Sequence, residues 1–222
     1  MGKRNYSQYC PLAYAMDVVG ERWTLLIIRE LMFGPRRFTD LQRGLPGIGT
    51  NLLSLRLKEL EQRKLLRQRV LPPPAAATVY ELDQLGYELA PAIRELSIWG
   101  MRYLCLPIPK QHHIGKVQSM FALMNSFLPA DSDATLTIEF FDPYDAFYAT
   151  ISNRELLLQH GAAPQQPDAV VKTEWRSIVS IAGHQPDVYT ALEQGLLNVT
   201  EGEADAVKRF FQQFTLPVAM EP

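Results

Sequence analysis

Residues 38–66 read FTDLQRGLPGIGTNLLSLRLKELEQRKLL. This stretch predicts a short helix, a turn made by Pro46, Gly47 and Gly49, and a second helix rich in leucine and polar residues. Runs of strand character at 66–70 and 79–82 follow directly and predict a two-strand ribbon. Helix, tight turn, helix and wing form an arrangement suited to entering a DNA groove.

The second helix supplies the detail. On a wheel of about 100° per residue, Thr50, Asn51, Ser54 and Lys58 share one side, and Leu52, Leu53 and Leu60 lie opposite. The polar side occupies the N-terminal half of the helix, where recognition helices touch base edges. Asparagine can bond adenine through two hydrogen bonds, and serine and threonine can bond bases or phosphates. Lys58 suits a phosphate contact that positions rather than specifies. Arg36 and Arg37 stand at the entry to the first helix, and Arg67 and Arg69 share a face of the first wing strand by the period of two. All four are candidate phosphate contacts. Arg56 falls on the leucine side and is expected to make a structural ion pair.

Charge supports a polyanionic partner for this half. Residues 1–104 carry 15 basic and 10 acidic side chains, a net of +5, whereas residues 105–222 carry 7 and 14, a net of −7. Such a split predicts two modules with the basic one facing nucleic acid. Apolar content of 47% and charged content of 21% are those of a globular chain. No window reaches the roughly 18 apolar residues of a membrane helix, and the N-terminus lacks a signal-peptide core. Cys10 and Cys105 are too few for a disulfide framework. A reduced, cytoplasmic protein without membrane association is expected.

Pro107, Pro109 and the polar stretch 110–113 mark a linker. The expected domains are 1–106, a linker at 107–114, and 115–222. In the first, helices are predicted at 12–19 and 23–32, the latter apolar all round and hence buried. A long helix is predicted from an N-cap at Asp83 to Leu104, with Leu85, Leu89, Ala92, Ile93, Leu96 and Trp99 recurring at three and four. The acidic half opens with a helix at 116–128 whose Val117, Phe121, Met124 and Phe127 or Leu128 share a face. Strict alternation at 135–140 predicts a half-buried strand. Further strands are expected at 146–151, 155–159 and near Val170, then helices around Trp175–Ala182, 188–194 and 207–214.

Several stretches carry a family resemblance: CPL at 10–12, GERWTLLIIREL at 20–31, GPRRF at 34–38, LPGI at 45–48 and LSLRLKELE at 53–61. In this order, over residues 9–104, the chain resembles the HxlR-type winged-helix regulators. The resemblance implies a bacterial or archaeal transcription regulator that binds double-stranded DNA at a near-palindromic operator as a homodimer. The dimer would use the N-terminal segment and the helix at 83–104. Base contacts would fall to Thr50, Asn51 and Ser54, and backbone contacts to Arg36, Arg37 and Lys58. One departure stands out: the wing tip, residues 72–78, reads PPPAAAT and brings no arginine.

Two features are candidates for a sensor. Cys10 matches a cysteine with which some members of the family sense electrophiles or oxidants, chemistry that requires exposure and a lowered pKa; Lys3 and Arg4 lie nearby in sequence. Residues 115–214 are similar to the sterol carrier protein fold, with Gly195 and Gly202 the firmest points. That similarity implies a site for a hydrophobic small-molecule effector lined by Phe121, Phe140, Trp175, Phe210 and Phe211. The expected fold class is α+β, a winged helix-turn-helix followed by an α+β sterol-carrier-like domain.

No catalytic grouping is recognisable. His112-His113 lies in the linker without a cysteine or acidic partner at ligand spacing, and no nucleotide-binding fingerprint or nucleophile elbow occurs. Neither a metal nor a cofactor nor enzyme activity is expected. The alternative to a DNA-binding regulator is a lipid or small-hydrophobe carrier whose winged helix mediates protein contacts.

Overall fold

The computed structural model describes residues 5–73, 76–103, 108–129 and 135–214. The chain forms two compact units, divided in sequence between Ile93 and Arg94. The expected wing tip at Pro74 and Ala75, the helix end at Leu104, the linker start at Pro107, Cys105, and the basic pair Lys3 and Arg4 lie outside the described residues.

The first unit runs α1 (Pro11–Val19), α2 (Thr24–Leu31), α3 (Phe38–Gly44), α4 (Thr50–Gln62), β1 (Leu66–Val70), β2 (Thr78–Leu82) and α5 (Gln84–Tyr87), and α6 (Ala90–Gly100) crosses the division. Pro11 opens α1, where a missing N–H costs nothing. Leu53, Leu57 and Leu60 recur at four and three along α4 and are buried with Ile27, Ile28, Leu31, Leu41 and Leu45. That shared apolar surface holds α2, α3 and α4 together. The turn between α3 and α4 passes through Gly47 at φ +93°, a conformation that an L side chain resists. β1 and β2 pair antiparallel with Leu66 opposite Leu82 and Arg67 opposite Glu81. Arg36 and Tyr80 exchange backbone hydrogen bonds of 2.9 and 2.8 Å, tying the entry of α3 to the wing.

Two expectations in this unit are corrected. α2 is not buried all round: Leu26 is exposed, whereas Glu30 is fully buried and accepts a 2.7 Å hydrogen bond from Arg29. The long helix from Asp83 is two helices. Pro91 has no N–H to donate to Tyr87, so the first stops at Tyr87 and the second begins at Ala90. Of the predicted apolar stripe only Ile93 is buried, while Leu85, Leu96 and Trp99 are exposed.

In the second unit, α7 (Lys116–Ser126) precedes β3 (Leu136–Phe141), β4 (Ala146–Ser152), β5 (Glu155–His160), β6 (Ala169–Thr173), α8 (Trp175–Ala182), α9 (Val188–Glu193), β7 (Leu197–Gly202) and α10 (Ala204–Phe211). The strands form one sheet in the order β5-β4-β3-β6-β7, antiparallel except for the β3–β6 pair. Asn153 and Arg154, at φ 50° and 65°, make the two-residue hairpin that joins β4 to β5. Leu136, Ile138 and Phe140 of β3 are buried, as the alternation predicts. Gly195 and Gly202 both have positive φ; a Cβ on Gly202 would stand 2.1 Å from the Asp168 carbonyl oxygen.

α7 ends at Ser126 rather than at residue 128. Pro129 disfavours helical backbone in the residue before it, and Phe127 is extended and bridges to Phe214. Met120 and Leu123 are fully buried in addition to Val117 and Phe121, so the helix is covered on more than the one face its pattern suggests. Lys116 is buried as well. Its ammonium donates to the Asp145 carboxylate and to the Ala146 carbonyl, pinning the start of α7 to the β3–β4 turn.

The five aromatics expected to line a ligand site are core instead. Phe140, Phe210 and Phe211 make ring contacts at centroid distances of 5.3–6.0 Å, and Phe147 links Phe140 to Trp175 at 5.1 and 5.6 Å. Rings at these separations pack on one another. With Phe121 also buried, these side chains fill the space between sheet and helices.

Candidate nucleic-acid interface

α4 presents one arc to solvent. Thr50, Asn51, Ser54, Leu55, Lys58 and Gln62 are exposed, and Leu53, Leu57 and Leu60 on the other side are at most 2% exposed. Three of the predicted groove residues, Thr50, Asn51 and Ser54, lie in the first turn and a half, with Lys58 one turn on. Gly49 leads into the helix with extended backbone, leaving the first helical N–H groups at the same end as the polar side chains. Leu55 and Gln62 complete the arc. On the wheel they fall just beyond Asn51, Gln62 by about 20° and Leu55 by about 40°, at the edge of the polar side.

The opposite face anchors the helix. Arg56 donates hydrogen bonds to Glu59 at 2.6 Å and to Glu21 at 2.8 Å, with its side chain only 12% exposed. It is a structural ion pair. At the C-terminus Lys64 takes left-handed backbone at φ 59°. The Leu65 N–H donates to the Leu60 carbonyl and the Lys64 N–H to the Glu61 carbonyl, at 3.0 and 2.9 Å. This is the Schellman pattern, which satisfies the last carbonyls and stops the helix.

The arginines separate into three kinds. Arg37, at the start of α3, is exposed, and its backbone N–H donates to the Asp40 carboxylate at 3.3 Å. Arg36 is turned inward: its side chain is 10% exposed, its guanidinium donates to the Asp40 carbonyl at 3.4 Å and lies 3.9 Å from the buried Glu30 carboxylate. That corrects its expected role, because a buried guanidinium balancing a buried carboxylate cannot reach a phosphate. Arg67 and Arg69 share a face as predicted, but both bond Glu81 on the neighbouring strand at 2.8 Å, and Arg67 also lies 3.3 Å from Asp83. Burial pushes the Glu81 carboxyl up, yet hydrogen bonds from Arg67 and Arg69 outweigh it and hold the carboxyl below its ordinary value. The hydrogen bond to Glu81 holds the Arg67 guanidinium above its own. Two cations against two carboxylates leave this part of the wing nearly neutral. Arg43, on the last turn of α3, is exposed as well, at a position that the wheel of the second helix does not reach. Among the described residues no ion pair engages Arg37, Arg43 or Lys58.

At the N-terminal end, Cys10 is half-buried beside an open hollow of about 230 Å³ lined by Tyr9, Pro11 and Tyr14. Tyr9, Leu12 and Tyr14 are exposed apolar side chains. Among the described residues no group of three histidines, cysteines, aspartates or glutamates could hold a metal ion, and no helix is long and apolar enough to cross a membrane.

Residues 18–106 match the family model described as HxlR-like helix-turn-helix. The HTH-type transcriptional regulator YodB of Bacillus subtilis is 36% identical over 99 residues, which span 44% of this chain and 88% of that protein. The uncharacterized HTH-type transcriptional regulator YvaP of the same organism is 35% identical over 101 residues, 45% of this chain and 94% of that one. Among solved structures, the reduced form of YodB from B. subtilis is 35% identical with a TM-score of 0.39, covering 46% of this chain and 100% of that chain. Each of these likenesses covers less than half of the present chain.

Proposed function

The chain belongs to the HxlR-like helix-turn-helix family and is a DNA-binding transcription regulator; from that premise we propose that it acts in the cytoplasm as a homodimer whose two α4 helices enter successive major grooves. Thr50, Asn51 and Ser54 touch base edges, and Lys58 and Arg37 hold phosphates. Arg67 and Arg69 make weaker phosphate contacts because Glu81 already engages both. A symmetric dimer places its half-sites about 34–36 Å apart, so the operator is near-palindromic with a repeat of one helical turn. The observation that carries this reading is the exposed polar arc of α4 above a fully buried leucine stripe. The dimer is supported by the apolar side chains that α1 and α6 leave exposed: Leu12 and Tyr14 on one, Leu96 and Trp99 on the other. A second copy that gathers these side chains into one covered patch gives them the apolar partner that each lacks in the protomer.

Residues 1–106 serve DNA binding and dimerisation, residues 107–114 link, and residues 115–222 form an accessory α+β domain. Effector control falls to Cys10, half-buried beside its hollow, rather than to the packed aromatics of the second unit. Alkylation of Cys10 that leaves operator affinity unchanged, relative to Cys10→Ser, would sink the sensor role.

The test of the base-reading assignment is binding of wild-type, Asn51→Ala, Ser54→Ala and Lys58→Ala proteins to the chain's own upstream region and to random duplex. Asn51→Ala and Ser54→Ala relax base preference, by about 1–3 kcal/mol for a bidentate contact. Lys58→Ala weakens all sequences alike. Equal losses on both duplexes for all three variants refute the assignment.

A further inference from the structure

One member of the exposed arc is not polar. Leu55 is 49% exposed at the edge of the α4 arc, about 40° from Asn51 on the wheel, although the helix has a buried side with three leucines at most 2% exposed. It stands at the solvent side of a helix whose polar neighbours suit hydrogen bonding to bases, and it can donate or accept no hydrogen bond.

We infer that Leu55 reads the 5-methyl group of a thymine, making that thymine a specificity position of the operator. The inference rests on α4 being the recognition helix. In the major groove thymine alone presents an apolar group, its C5-methyl, and apolar side chains are its natural contact. Leu55 follows Asn51 by four residues, so their Cβ atoms lie on one face roughly 5–6 Å apart. Helical side chains lean toward the N-terminus, which carries the Leu55 methyls toward the patch beside Asn51. Against a rise of 3.4 Å per base pair, the thymine falls one or two steps from the base that Asn51 contacts. An asparagine and a leucine one turn apart thus read an adenine and a thymine within one short step of sequence.

The test uses the full chain and a duplex enriched from a random pool by the wild-type protein. Each thymine of the enriched site is replaced singly by deoxyuridine, which removes the methyl group alone. Dissociation constants are measured for wild type, Leu55→Ala, Leu55→Gln and Asn51→Ala. At one thymine per half-site, wild type loses about fourfold in affinity, and about fifteenfold when both half-sites are changed, from roughly 0.8 kcal/mol per methyl. Leu55→Ala and Leu55→Gln bind thymine and uracil duplexes alike, whereas Asn51→Ala keeps the difference. Thermal melts check that both Leu55 variants fold, as expected at a half-exposed position. An enriched sequence with no methyl dependence at any thymine, or a dependence that persists in the Leu55 variants, overturns the assignment while leaving α4 as the recognition helix. If wild type enriches no sequence, the recognition-helix reading fails and the assignment with it.

Discussion

Arg56 donates a 2.8 Å hydrogen bond to Glu21, thirty-five residues earlier, and so ties the back of α4 to the segment that leads into α2. The contrast with Lys58, two residues on and exposed, is informative because the two cations have separable jobs. Arg56→Ala removes two ion pairs and a mostly covered side-chain stem, and lowers stability by about 1 kcal/mol. Its salt dependence of DNA binding stays that of wild type. Lys58→Ala leaves stability within about 0.5 kcal/mol but reduces the slope of log K against log salt by about 0.9. Denaturant melts and salt titrations of both variants test this pair of outcomes.

Glu81 is the brake on the wing. Glu81→Gln frees Arg69 and leaves Arg67 only its 3.3 Å contact with Asp83, which raises affinity for random duplex and steepens the salt slope by about 1, the increment of one guanidinium freed to meet a phosphate. An unchanged slope would mean that neither arginine approaches the backbone. The same carboxyl makes stability depend on pH. Its folded-state pKa lies below the unfolded value, so its stabilising contribution is complete above about 4.3 and is lost as pH falls through the lowered value. Glu81→Gln should lack that part of the acid-side decline in melting temperature.

Lys64 occupies left-handed backbone at the end of α4, a conformation that costs a side chain about 1–2 kcal/mol and that glycine adopts freely. Lys64→Gly is expected to raise stability by about 0.5–1 kcal/mol, despite glycine's larger entropy loss on folding. Denaturant midpoints at constant m-value read the change. A destabilised variant would show that the lysine side chain holds more than the backbone conformation suggests.

Gly202 ends β7 at φ +79°, and a Cβ there would meet backbone atoms of Asp168 and Ala169 at 2.1 and 2.8 Å. Backbone cannot step aside as a side chain can. Gly202→Ala should cost more than about 2 kcal/mol, measured as a fall in melting temperature. A neutral outcome would require β6 and β7 to pair differently from the register found.

Much of the local structure of both units is legible in the residues. Helix and strand positions follow from period and punctuation, which are local: Pro46 and Gly47 at the turn, leucines at 53, 57 and 60, and alternation in β3. Pro91 and Pro129 are local signals of the same kind: the first interrupts a helix running on from Asp83, and the second disfavours helical backbone at Leu128.

Side-chain partnership is different, because it depends on residues far apart in the chain. The wheel put Arg56 on the correct side but could not name Glu21. Position at the entry to α3 makes Arg36 and Arg37 equivalent, although one faces buried Glu30 and the other faces water. The period of two sets Arg67 and Arg69 on one face without showing that Glu81 engages both from the next strand. For the second unit, apolar spacing is the same whether aromatics line a tunnel or close on one another, and only their ring-to-ring distances identified a packed core. Periodicity is written residue by residue, so it survives in the sequence. Charge balance and packing arise only when distant segments are brought together, and they are found where those segments meet.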